Sequence, residues 1–180
     1  MTIFRAAAIL MLISTSTLVA FCQKTPKAIV NLYCSLDGEG ARYSSQQRQS
    51  REIDRIEVNP VEAAWDESTI VSDFKIVEVK QRNGGAEVTV LYHILGHISS
   101  ELEVVSSSSE EKVTFSVTRV EGKWKVDHAE IGPHITEKGI LTILNGERAE
   151  ATKKAQTSTD PQVKEVRAKL NATILKIESW

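Results

Sequence analysis

Val113-Thr114-Phe115-Ser116-Val117-Thr118-Arg119-Val120-Glu121-Gly122-Lys123-Trp124-Lys125-Val126 is the stretch that decides the fold. Apolar and polar side chains alternate along it, the period of a strand with one face turned to a core. Val113, Phe115 and Val117 share one face, Glu121-Gly122 marks a turn, and Trp124 and Val126 share a face of the returning strand. The expected hairpin therefore joins residues 112–120 to residues 123–131. A second hairpin lies upstream. Residues 70–80 are rich in β-branched side chains, and Arg82-Asn83-Gly84-Gly85 supplies residues that tolerate the positive φ of a tight hairpin turn. In the return strand, residues 86–95, Val88, Val90, Tyr92 and Ile94 face one way. Glu87, Thr89, Leu91 and His93 face the other, so one side is drier. The serine-rich stretch of residues 106–111 reads as a polar break between the hairpins.

Helices flank this β region. Thr25-Pro26 is a helix start, because Thr caps orphan amides and Pro suits the first helical position. Ala28, Ile29, Leu32, Tyr33 and Leu36 follow at three-four spacing, and Asp37-Gly38-Glu39-Gly40 breaks the run. A second helix is expected from Tyr43 with Ile53 and Ile56 as its late apolar contacts. Asn59-Pro60 ends it, and residues 61–66 read as a loop carrying Trp65. Beyond Gly132-Pro133, Thr136 caps a short helix through Ile140, Leu141 and Leu144 that should end near Asn145-Gly146. Residues 148–159 are poor in apolar side chains and read as a linker. Asp160-Pro161 then restarts a helix whose stripe of Val163, Val166, Leu170, Ile174 and Ile177 must bury against its own domain, a second subunit or a membrane surface.

The leader sets an expected compartment. Arg5 precedes an apolar run over residues 6–21 that closes on Ala20-Phe21-Cys22. A positive start, a short apolar centre and small residues near the break describe a secretory signal peptide, residues 1–22. Ser14, Thr15, Ser16 and Thr17 interrupt the run, which is shorter than the roughly 20 apolar residues of a membrane span. The protein is thus expected to be exported, to a periplasm or the extracellular space. Contact with a membrane is expected only if Cys22 carries a lipid, and Phe21 is large for that processing pattern. Cys34 would be the mature chain's lone cysteine, which leaves no internal disulfide.

Twenty-two Lys and Arg stand against 24 Asp and Glu, a net charge of −2 with no basic excess, so nucleic acid is not an expected partner. The densest basic segment, residues 42–55, also carries Glu52 and Asp54 and reads as a solvated helix face.

The hairpin of Arg119-Val120-Glu121-Gly122-Lys123-Trp124-Lys125-Val126, preceded by helices and long strands, resembles the closing hairpin of the nuclear transport factor 2-like superfamily. The resemblance runs from about Pro26 to Ile135. Tyr33-Cys34-Ser35-Leu36-Asp37-Gly38-Glu39-Gly40-Ala41-Arg42 is also similar to a segment of bacterial exported proteins of that fold. It implies an α+β class: N-terminal helices packed on a curved antiparallel sheet that forms a cone, plus the C-terminal amphipathic helix. Residues 23–146 would form the domain, 147–159 the linker and 160–180 the last helix. The superfamily holds isomerases, dehydratases, adaptors and binding modules, so the fold leaves function open.

Enzymes of that fold use a carboxylate or imidazole base with a hydroxyl donor inside the cone. Asp37, Asp73, His93 and His128 are the bases on offer, with Tyr33 and Tyr92 as donors. Alternation puts His93 on the face opposite Tyr92 and separates Asp127 from His128, so no full acid/base set falls on one face. His93 and His97 on a strand stand roughly 13 Å apart, too far for one metal ion. No metal, no cofactor and no phosphate-binding glycine loop are expected. A binding or interaction module remains: an apolar cavity with few polar groups, for which the resemblance points to Tyr33, Asp37, Arg42, Trp65 and Tyr92. Its partner would be a small apolar or anionic molecule, or a protein on the open sheet face, with a homodimer as one form. An isomerase- or dehydratase-like activity in the cone is the alternative. Arg42 beside Asp37 would form an ion pair or hold an anion.

Overall fold

Helix α1, Pro26–Gly38, begins where Thr25 accepts a hydrogen bond from the Ala28 amide through its side chain. It buries Ile29, Val30, Tyr33, Cys34 and Leu36. The computed structural model describes residues 25–43, 50–60, 65–127, 131–158 and 160–180. The expected signal peptide with Cys22, part of the loop before Trp65, and His128 lie outside them. Among the described residues no helix is long and apolar enough to cross a membrane.

After α1 come α2 (Ser50–Ile56), β1 (Glu67–Arg82), β2 (Gly85–Ser99), β3 (Val104–Val120), β4 (Lys123–Asp127), β5 (His134–Thr136), α3 (Glu137–Thr157) and α4 (Pro161–Ile177). The sheet order is β4-β3-β2-β1-β5. The class is α+β as expected, with a correction to the sheet. It is mixed rather than antiparallel, because β5 pairs in parallel with β1, Ile70 opposite Ile135. Three residues after Pro133 suffice for that pairing, too few to show a strand period. Register shifts interrupt β1 near Val71 and Ile76, and β2 against β3 near Ile94. Such bulges bend a strand and raise its twist, and the sheet curls into a half-barrel. At the first of them the adjacent Ile70 and Val71 are both buried.

The β1–β2 and β3–β4 hairpins turn where expected, with Gly84 at φ +80°, Glu121 at +52° and Gly122 at +78°. Two other readings are corrected. Residues 106–111 do not end the strand: they lie within β3, with Ser106 and residues 109–111 paired to β2 and a bulge between Ser106 and Ser109. Nor does the helix after Thr136 stop near Gly146, for it runs on through the expected linker to Thr157. Its later half is held by one buried side chain, Ala151, against the neighbouring α4. A helix with so thin an apolar contact shows no stripe in sequence.

The described helices pack over two apolar clusters that they share with the sheet. The first joins α1 and α2 to Val88, Val90, Tyr92, Phe115 and Val126. The second joins Ile140 and Leu144 of α3, and Leu170, Ile174 and Ile177 of α4, to Ile70, Ile98, Val104 and Ile135. The α4 stripe therefore buries its C-terminal half on its own domain, while Val166 remains exposed. Thr173 Oγ1 donates to the Leu102 carbonyl at 2.9 Å and Lys176 Nζ to that of Val104 at 2.5 Å. The Trp180 ring lies over Gly96, where a Cβ would come within 2.6 Å of it.

Candidate functional site

Tyr33 and Asp37 lie one helical turn apart on the inner face of α1, so Tyr33 joins the first cluster and Asp37 is buried on the same face. The chain then doubles back through Gly40, at φ +88°. This returns Arg42 to its own helix, with Nη1 3.5 Å from Asp37 Oδ2. The two side chains are 7% and 1% exposed, so the ion pair expected between them forms, but inside the protein. Arg42 Nη2 also donates to the Ile131 carbonyl at 2.5 Å, and Nη1 to that of Gly132 at 3.5 Å. Its guanidinium carbon sits 5.9 Å from the Tyr33 ring centroid and 5.2 Å from that of Trp65, within cation–π range.

Tyr92 arrives from the inward register of β2. Its hydroxyl lies 3.1 Å from Cys34 Sγ, and its ring stacks on His134 with centroids 4.2 Å apart. The His134 backbone N–H donates to Asp37 Oδ2 at 2.9 Å, while its Nε2 faces Glu111 Oε2 at 3.1 Å. Tyr33 packs its ring against Phe115 at 5.3 Å. The five residues picked from sequence thus form one contiguous cluster between α1, β2 and the segments carrying Trp65 and His134.

Burial dominates the electrostatics. It raises the Asp37 carboxyl above its ordinary value, against the opposing pull of Arg42 and the His134 N–H. It pushes the Cys34 thiol up to about 12, so Cys34 is a packed thiol rather than a ready nucleophile. Tyr33 and Tyr92 rise too, chiefly by burial, and remain neutral hydroxyls. Asp37 Oδ2 takes both partners, and Oδ1 is buried with no hydrogen-bond partner. The arrangement offers one open acceptor in an aromatic, water-poor surround.

His134, Glu111 and the buried Glu57 were not singled out from sequence. His134 meets Asp37 across 97 positions, and only the parallel β1–β5 pairing brings it there. The other proposed bases lie elsewhere. His93 faces outward, opposite Tyr92, with Nδ1 2.5 Å from Asp73 Oδ1 and Nε2 3.2 Å from Glu110 Oε1. His97 pairs with Glu67 at 3.1 Å. Among the described residues no group of three or more His, Cys, Asp or Glu could hold a metal ion. No family model matches the chain, and neither a curated protein nor a solved structure is significantly similar to it.

Proposed function

We propose that this chain is an exported, non-catalytic ligand-binding module of the nuclear transport factor 2-like kind, taking a small, mostly apolar molecule at the cluster around Asp37. One observation carries the reading: Asp37 Oδ1 is fully buried and unpartnered, in a cluster whose other polar groups are engaged or neutral. A buried acceptor without a partner costs about 1–3 kcal/mol, and a bound molecule that donates to it recovers that cost. The half-barrel with α1 packed against its strands supports the family resemblance, and the apolar leader supports export.

Binding is favoured over catalysis by the state of the ionisable groups. Acid/base work needs a group poised near the working pH. Here Cys34 is pushed up to about 12 and the tyrosines are raised, so Asp37, its carboxyl raised by burial and one oxygen committed to Arg42 and the His134 amide, has no poised partner among them.

Native mass spectrometry of the protein recovered from an exporting host tests this reading. The expected result is a mature mass starting near Gln23 with an additional small-molecule mass. A bare protein mass would move the weight to a protein–protein role on the outer sheet face. Retention of Met1, or diacylglycerol on Cys22, would overturn soluble export.

A further inference from the structure

We infer that the free edge of β1 is a self-association site: a second copy of this chain adds its own β1 there, antiparallel, about a two-fold axis between Ile76 and Val77. No ligand at the Asp37 cluster is needed for it. Among the described residues β1 pairs with β2 along its length, but on its other side only residues 69–71 have a strand partner, the short β5. Residues 72–82 therefore present main-chain N–H and C=O groups that no described strand takes up, the template an added strand needs. Val77 and Val79 are exposed on this stretch, and Phe74 and Ile76 are only half-buried.

The order of side chains selects the occupant. Phe74, Ile76 and Val79 take the inward register, opposite Tyr92, Val90 and Val88 of β2. Asp73, Lys75, Glu78 and Lys80 take the outward one, opposite His93, Leu91, Thr89 and Glu87. Val77 is the extra residue of a bulge, so the alternation changes phase across it. One antiparallel self-pairing that keeps inward against inward sets Asp73 on Lys80, Lys75 on Glu78, Phe74 on Val79 and Ile76 on Val77. Symmetry repeats each pair. Slipping to the next register that keeps the faces matched sets Asp73 on Glu78 in one direction and Lys75 on Lys80 in the other. Opposite charges across a ladder stabilise it and like charges destabilise it, so charge picks one register of one partner, the same strand. Lysines and a bulge ordinarily guard an edge. Here each lysine meets a carboxylate, and the bulge lies on the axis, where it meets its own copy and leaves the register intact. Glu78 and Lys80 of one strand already pair in solvent at 2.9 Å, so the copy's charges extend that pair into a network. The interface is isologous and closes at two chains.

Sedimentation velocity on the protein purified from an exporting host tests this. Wild type is expected to pass from monomer to dimer between about 1 and 100 μM, the weak range of so small an interface. About 1 M NaCl should weaken the dimer, because it screens exposed pairs. Lys75→Glu or Glu78→Lys alone sets like charges opposite at both symmetric places and should weaken the dimer about 10-fold. Mixing the two variants should restore association as a heterodimer, since each then meets the opposite charge on the other chain. Circular dichroism confirms that the variants fold. Should either fail to fold, Asp73→Lys mixed with Lys80→Glu makes the same test at the other charge pair. A wild type that stays monomeric up to about 1 mM, or that carries a different polypeptide in place of its copy, would overturn the proposal. So would a dimer that both single variants leave intact, or one that they break and mixing does not restore.

Discussion

Asp37–Arg42 inside the half-barrel and Asp73–His93–Glu110 on its outer face use the same chemistry in opposite surroundings. Each sets carboxylate against a cationic or protonatable nitrogen. The inner side chains are 7% and 1% exposed, while those of Asp73, His93 and Glu110 are 64%, 40% and 63% exposed. Inside, desolvation dominates and raises the carboxyl despite its cation. Outside, partners dominate: the Asp73 hydrogen bond leads in raising His93. Pairing is common to both, so burial decides which pair matters to the fold.

The largest expected effect breaks the inner pair. Arg42→Leu leaves a buried carboxylate without its cation, and urea denaturation should show a loss of about 3–5 kcal/mol. Asp37→Leu added to Arg42→Leu should recover part of it, since no charge is then buried alone.

The pH response comes next, and it separates the two sites. Asp37 has a folded pKa above its ordinary 3.8, so its contribution is fully present below that value and is lost as pH rises through the folded pKa. Wild type should lose stability relative to Asp37→Asn across that window, read as diverging urea midpoints. Tyr92→Phe, which removes the hydroxyl beside Cys34, should cost about 0.5–1.5 kcal/mol in the same assay.

The smallest effect lies outside. Asp73→Asn with Glu110→Gln should return the His93 titration, followed by NMR, toward its ordinary 6.5 and leave the denaturation midpoint in place. The wild-type His93 contribution is present below 6.5 and fades as pH rises through the higher folded value. An outer double variant as damaging as Arg42→Leu would sink the comparison.

Local signals made much of this legible. Asn83-Gly84 and Glu121-Gly122 set two hairpins, Thr25-Pro26 set a helix start, and alternation put Tyr92 inside and His93 outside. What escaped depends on distant partners. Residues 106–111 stay within β3 because β2 pairs with Ser106 and with residues 109–111 on either side of a bulge, and their side chains, largely outside the clusters, need not be apolar. Residues 148–157 are helix because α4 lies alongside. That Arg42 is fully engaged while Asp37 Oδ1 is open follows from Ile131, Gly132 and His134, about 90 or more positions away. No local pattern carries such information.

Strands β1, β2 and β3 each reach both apolar clusters, and β2 lies at the centre of the three. Every second residue of β2 from Ala86 to Ile98 is buried, with Val88 to Ile94 in the first cluster and Ile98 in the second. Long neighbours β1 and β3 hydrogen-bond it on both sides. Neither cluster can open alone without peeling this shared strand from a neighbour, so the two halves should melt together rather than as separate foldons. The β2 amides should then be the slowest to exchange with deuterated solvent, at the rate of global unfolding, across both halves of the strand.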